Sequence, residues 1–173
     1  MCIRDRGTER HGQFVGRVAV ITGGARGQGR SHAVELARQG ADIAVVDRCA
    51  DLATVTYPLA TAEDLAETAR LVEAEGGRCV TAQADVRDLD AMIAFVDGVV
   101  ADLGSVDILV ANAGVSTMCS IFDLDADGWS ETLDTNLTGV FNALRAAAPH
   151  MRRRRWGRMV TVSSMMGLSL IHI

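Results

Sequence analysis

The sequence contains no lysine; all 17 of its Lys-plus-Arg residues are arginine. It has one tyrosine, Tyr57, two prolines, and only 4% aromatic residues. Chemistry that needs a lysine ammonium is therefore outside its reach, and a phenolic proton donor can only be Tyr57. With the many Ala and Gly, the missing lysine suggests GC-rich coding DNA. The four cysteines, Cys2, Cys49, Cys79 and Cys119, form no CxxC pair. That spacing argues against a zinc site or disulfide framework and for a reducing cytoplasm. His11, His32, His150 and His172 have no ligand spacing, so no metal site is expected. No apolar run is long enough to span a bilayer. Met1 to Arg6 lacks the apolar stretch of a secretory signal. A formal net charge of -5 provides no broad surface for nucleic acid. The arginines at 152 to 155 read instead as a solvated helix C-terminus, where they suit the dipole.

The two ends read as foreign. Leu168 to Ile173 (LSLIHI) can be spelled CTG TCT CTT ATA CAC ATC. The reverse complement of that DNA begins to spell Met-Cys-Ile-Arg-Asp and then a codon for Arg, which is how Met1 to Arg6 run. Both ends resemble the two strands of an inverted transposon end used in preparing sequencing libraries. The expected natural segment is a single domain over residues 7–167, with 1–6 and 168–173 derived from the tag.

Between these ends, apolar β-branched runs alternate with segments of helical period. Strands are predicted at Arg17–Thr22, Asp42–Asp47, Cys79–Gln83, Val106–Ala111 and Arg158–Val162. Helices are predicted over Ser31–Gln39, Ala62–Glu75, Leu89–Leu103 and Trp129 to about His150. The last carries Trp129, Leu133, Leu137, Val140, Phe141 and Leu144 on one stripe. Such alternation means right-handed βαβ crossovers and a parallel sheet covered on both faces. A longer link, Cys49–Thr61, separates the second strand from the next helix.

Thr22-Gly23-Gly24-Ala25-Arg26-Gly27-Gln28-Gly29 follows the first strand and precedes a helix. Glycines there let the backbone approach a pyrophosphate, and the helix N-terminus offers unpaired N–H groups. The Gly-Lys-Ser/Thr of a nucleotide triphosphatase loop is absent. Asp47 closes the second strand, where a carboxylate can accept hydrogen bonds from an adenosine ribose diol and repel a 2′-phosphate. NAD is thereby favoured over NADP, although Arg26 and Arg48 could each pair with that phosphate.

These motifs form a set with Asp85-Val86 after the third strand, Asn112-Ala113-Gly114 after the fourth, Asn136 in the long helix and Ser163-Ser164 after the fifth. Together they resemble the classical short-chain dehydrogenase/reductase family. The resemblance implies a Rossmann-type, doubly wound α/β fold with strands in the order 3-2-1-4-5, incomplete because later strands are missing. It implies an NAD-dependent oxidoreductase acting on CH–OH groups, and a homodimer or homotetramer paired through the Trp129 helix. It assigns Asp85 and Val86 to the adenine ring, and Asn112, Ala113 and Gly114 to the cofactor cleft. Ser164 matches the serine that hydrogen-bonds the substrate oxygen, and Asn136 the asparagine that holds a relay water. The family's Tyr, about thirteen residues beyond the serine, and the Lys that lowers its pKa have no counterpart here, so the 173 residues are expected to be inactive.

Gly27 to Ala33 (GQGRSHA) and the long link Val55 to Leu65 more narrowly resemble the mycofactocin-coupled, carveol-dehydrogenase-like subfamily. That resemblance implies a secondary alcohol, such as a cyclic terpenoid alcohol, oxidised to a ketone. It further implies NAD held without exchange and reoxidised in place by a mycofactocin-type electron carrier, with the link folded over the adenosine end. Two alternatives stay open: a carbonyl or acyl reductase with exchanging NAD(P), and a non-catalytic NAD-binding protein.

Overall fold

The structure, a computed structural model, describes residues 12–164. Both tag-like ends lie outside the described residues. Five strands, β1 (Val18–Thr22), β2 (Asp42–Asp47), β3 (Cys79–Gln83), β4 (Ile108–Ala111) and β5 (Arg158–Thr161), form one sheet in the order β3-β2-β1-β4-β5. Every pairing is parallel, with Val20 opposite Ala44 on one side and Leu109 on the other. The helices are α1 (Gly27–Arg38), α2 (Ala62–Ala74), α3 (Leu89–Leu103), α4 (Ala126–Leu133) and α5 (Gly139–Arg154).

Alternate residues of the central strands serve opposite faces, as the pleat requires. Ala19, Ile21, Ile43, Val45, Ile108 and Val110 pack with Ala33 and Ala37 of α1 and Leu65 and Val72 of α2. Val18, Val20, Ala44, Val46, Leu109 and Ala111 pack with Met92, Phe95, Val96 and Val99 of α3 and the small residues of α5. Burial on both faces explains why β1 and β2 read as unbroken apolar runs rather than alternating ones.

Local chemistry sets the helix ends. Thr61 and Asp64 cap α2 reciprocally, and the Asp88 carboxylate accepts from the Ala91 N–H at the start of α3. Gly104, at φ 91°, ends α3 in the left-handed region. β1, β4 and β5 are shorter than predicted. Asp107 takes over at the start of β4: its carboxylate accepts from the Val18 N–H at 3.0 Å and the Ser105 hydroxyl at 2.7 Å, and pairs with Arg17 at 3.1 Å. The Arg17 guanidinium also stacks on Trp156, 3.8 Å from the ring centroid.

Two predictions need correction. First, α1 begins at Gly27, not Ser31. Gly27, Gln28, Gly29 and Arg30 form its first turn although two of the four are glycine, and at Gly29 only a residue without a Cβ fits. A Cβ on Gly29 would lie 2.2 Å from the Gly23 carbonyl oxygen. Second, the segment from Trp129 to about His150 is not one regular helix. A π-helical turn, Asp134–Thr138, joins α4 to α5, and the Gly139 N–H bonds the Asp134 carbonyl five residues back. Trp129, Leu133, Leu137 and Phe141 are exposed, whereas Val140 and Leu144 pack on the core. The buried face of α5 is made by Gly139, Asn142, Ala143, Ala146, Ala147 and Met151. Small residues there let α5 lie close to the sheet, and the bulky row falls on the opposite side.

Among the described residues, no helix is long and apolar enough to cross a membrane, and no group of three or more His, Cys, Asp or Glu could hold a metal ion.

Candidate dinucleotide site

All the motif loops leave the sheet at the carboxyl ends of the strands, where ligands bind in open α/β sheets. β1 and β4 are stitched together at that end. The Thr22 hydroxyl accepts from the N–H groups of Asn112 and Ala113, both at 3.0 Å. The Asn112 amide donates to the carbonyls of Thr22 and Gly23, also at 3.0 Å. The turn between β1 and α1 is equally constrained. Gly23 has φ +63°, and a Cβ there would lie 2.7 Å from Ala113 Cα. Gly27 differs: its missing Cβ points into open space. Arg26 starts α1 without a side-chain cap, so its side chain satisfies none of the first-turn N–H groups.

Asp47 stands beside this turn. Its carboxylate accepts from the Ala25 N–H at 3.0 Å and from the Cys49 N–H at 3.2 Å, one oxygen each. Each oxygen keeps a further lone pair.

The link between β2 and α2 crosses over the cleft as a strap. Its own Leu52, Val55 and Ala60 are buried. The Asp51 carboxylate accepts from the Leu59 N–H at 2.8 Å. The Tyr57 hydroxyl accepts from the Ser116 N–H at 3.1 Å, which ties the strap to the loop after β4. Arg26 donates to the Pro58 carbonyl, and Thr54 to the Glu131 carboxylate on α4.

An ionic cluster lies under the strap. Arg87 pairs with Asp85 at 2.7 Å and with Glu131 at 2.8 Å. Arg48 approaches the same carboxylates at 3.7 and 4.0 Å. Burial pushes the Asp85 carboxyl up, but the hydrogen bonds and charge of Arg87, with Arg48 behind it, outweigh that and hold it below the usual range. Glu131 is also held down, by the Thr54 hydroxyl first and the two arginines after it, against its partial burial.

These elements enclose a cleft of about 240 Å³. Gly23, Arg26, Gly27, Asp47, Arg48, Asp85, Val86, Asn112, Ala113 and Gly114 all line it. Gln28 and Gly29 stand behind them in the first turn of α1. Asn136 lies outside the lining. Its amide oxygen accepts from the Val115 N–H and its nitrogen donates to the Val115 carbonyl, both at 2.8 Å. Asn136 thus holds the loop after β4 against the π-helical turn. Ser164 is exposed, three residues past the end of β5, and is not among the lining residues.

Sequence reasoning missed Thr22 as a stitch, Tyr57 as a clasp, and Arg87, Glu131 and Thr135 altogether. Being the only tyrosine and falling in the long link was the one available signal for Tyr57. Two buried polar atoms at the cleft lack a hydrogen-bond partner among the described residues: Arg48 Nη1 and Thr135 Oγ1. Orphaned polar atoms on a cleft wall, beside a glycine cradle and a carboxylate, fit a polar dinucleotide.

A family model described as short chain dehydrogenase matches residues 17–172. The (-)-trans-carveol dehydrogenase of Rhodococcus erythropolis is 45% identical over 155 residues, covering 88% of this chain and 56% of that protein. The crystal structure of a carveol dehydrogenase from Mycobacterium avium in complex with NAD is 48% identical, with a TM-score of 0.87, over 91% of this chain and 58% of that one. A short chain dehydrogenase from Mycobacterium paratuberculosis bound to NAD is 45% identical, with a TM-score of 0.89, over 92% of this chain and 59% of that one. The chain therefore spans less than two thirds of the length of these relatives.

Proposed function

Because this chain belongs to the short-chain dehydrogenase family, we propose that its residues form the NAD-binding region of an oxidoreductase that converts a secondary alcohol, of the cyclic terpenoid kind, to a ketone. The observation that carries this reading is Asp47 at the end of β2, beside an open glycine cradle and under a strap fastened at several points.

The first-turn N–H groups of α1, beginning at Gly27, would receive the pyrophosphate. Asp47 would accept from the adenosine ribose hydroxyls with its remaining lone pairs. Val86 and Asp85 would flank the adenine, and the Asn112–Gly114 turn would form the wall towards the nicotinamide. NAD, when bound, supplies the ring that accepts hydride from the carbinol carbon. Ser164 would donate a hydrogen bond to the substrate oxygen. Asn136, through Val115, would fix the loop between the two, and the second lone pair of its amide oxygen is the place for a relay water. The family's tyrosine and lysine have no counterpart among the 173 residues, where Tyr57 is engaged in the strap and lysine is absent. These residues alone should therefore bind NAD without turnover.

The strap supports the narrower reading, in which NAD stays bound and is reoxidised in place by a mycofactocin-type carrier. To leave, a dinucleotide would have to break the ties at Tyr57, Pro58 and Thr54. The exposed row Trp129, Leu133, Leu137 and Phe141 supports pairing of two subunits through α4 and α5. The test is retention. After prolonged dialysis and desalting, denaturing the protein should release close to one NAD per chain, read by mass spectrometry. NAD lost within minutes would leave an exchanging dehydrogenase. Reduction of an artificial electron acceptor by cyclic secondary alcohols, measured on the complete gene product, tests the substrate class.

A further inference from the structure

The cleft carries contradictory signals for the adenosine ribose. Asp47 favours a free 2′-hydroxyl, yet Arg26 stands on the same rim, one residue from the Ala25 N–H that Asp47 accepts. A guanidinium there is the usual answer to a 2′-phosphate. The structure shows where that cation is directed. Arg26 Nη2 donates to the Pro58 carbonyl at the crest of the strap. Pro58 is itself held in place on both sides. The Tyr57 hydroxyl accepts from Ser116, and the Leu59 N–H donates to Asp51 at 2.8 Å. The second cation, Arg48, lies between the carboxylates of Asp85 and Glu131.

We propose that the strap is a cofactor-selecting element: by presenting the Pro58 carbonyl to Arg26, it withdraws the guanidinium from the ribose pocket and leaves Asp47 to reject a 2′-phosphate unopposed. This rests on the NAD reading above. A phosphate entering beside Asp47 meets a carboxylate while Arg26 is turned to the strap and Arg48 faces Asp85 and Glu131, so selectivity against NADP exceeds what Asp47 would provide with Arg26 free. The strap thus has a chemical role besides any mechanical hold on the ligand, and Pro58 suits that role. Proline has no N–H, so its carbonyl is the one backbone polar group Pro58 offers.

The test uses apoprotein of the full chain, titrated separately with NAD and NADP by calorimetry. Two variants release Arg26: replacement of residues 51–59 by a short Gly-Ser link, and Asp51→Ala, which frees the Leu59 N–H but keeps the strap. The link variant should improve NADP affinity relative to NAD about tenfold, the scale of one charge-assisted hydrogen bond to phosphate. Asp51→Ala should give a smaller gain in the same direction and serves if the link variant does not fold. Adding Arg26→Ala to either variant should abolish the gain. An unchanged NADP/NAD ratio in the released variants would overturn the proposal, and so would a gain that survives Arg26→Ala, which would point to Arg48. Failure of the starting protein to bind NAD would instead overturn the NAD reading, and this assignment with it.

Discussion

The two ends of the sheet are built from the same residue types and put to opposite use. Where the strands begin, Asp107 is completely buried and its carboxylate is answered by Val18, Ser105 and Arg17, with Arg154 behind at 3.7 Å. Asp42 there takes the Arg78 guanidinium and the Arg78 N–H. Where the strands finish, among the described residues, Asp47 accepts only one N–H on each oxygen, Gly27 faces open space, and Arg48 and Thr135 keep polar atoms without a hydrogen-bond partner. Saturated polar groups lock one end, and unsaturated ones leave the other ready for a ligand.

Mutations should separate these roles. The largest effect belongs to the closed end. Asp107→Ala would strand the buried Val18 N–H and uncouple Arg17, and should lower the unfolding free energy by about 3 kcal/mol. Urea denaturation checks this, and the folded fraction should still bind NAD with unchanged affinity. At the open end the pattern reverses. Asp47→Ala should weaken NAD by roughly tenfold to thirtyfold, as expected when a charged acceptor of ribose hydrogen bonds is removed. It should narrow the preference over NADP while stability changes less than in Asp107→Ala. Equal losses of stability in the two variants would erase the distinction between the ends.

The smallest effect concerns the cluster under the strap. Asp85 and Glu131 are held below their ordinary values, so their contribution to the closed strap is complete above the ordinary carboxylate range, about 3.9 to 4.3. It is lost as pH falls through the lower folded values. NAD release, followed with a trapping dehydrogenase or by rapid gel filtration, should therefore quicken as pH drops from about 5 towards 3. Glu131→Gln should hasten release at neutral pH by only about threefold, since the Thr54 bond can survive on the amide oxygen.

The sequence was most legible where one local rule settled the structure. β2, β3 and α3 have the bounds that their apolar runs, Asp88 and Gly104 indicate. The strand order followed the family resemblance, because alternation alone does not choose a neighbour for each strand. What stayed hidden was whatever one segment imposes on another. The glycines argue against helix at Gly27–Arg30, yet the first turn of α1 forms there with Gly29 tight against Gly23. No periodicity announces the π-helical turn, which accompanies the Asn136 amide gripping Val115. Ten of the predicted cofactor residues line one cleft, since fixed spacings in the βαβ motif determine them. The partners of Tyr57 and Arg26 could not be read, because the strap has no repeat and its contacts reach across the fold.

The π-helical turn also acts as a phase shifter. One additional residue rotates everything beyond it by about 100° about the axis, relative to a continuous α-helix. The spacing at which side chains return to one face therefore changes across the turn. Gly128 on α4 looks towards Leu124 and Thr117, on the segment between β4 and α4, whereas Gly139 at the start of α5 looks onto Val86, beyond β3. The two halves of the rod thus pack on different neighbours. Deleting one residue from the turn would put the two halves out of register with one of those neighbours, although no side chain had been changed.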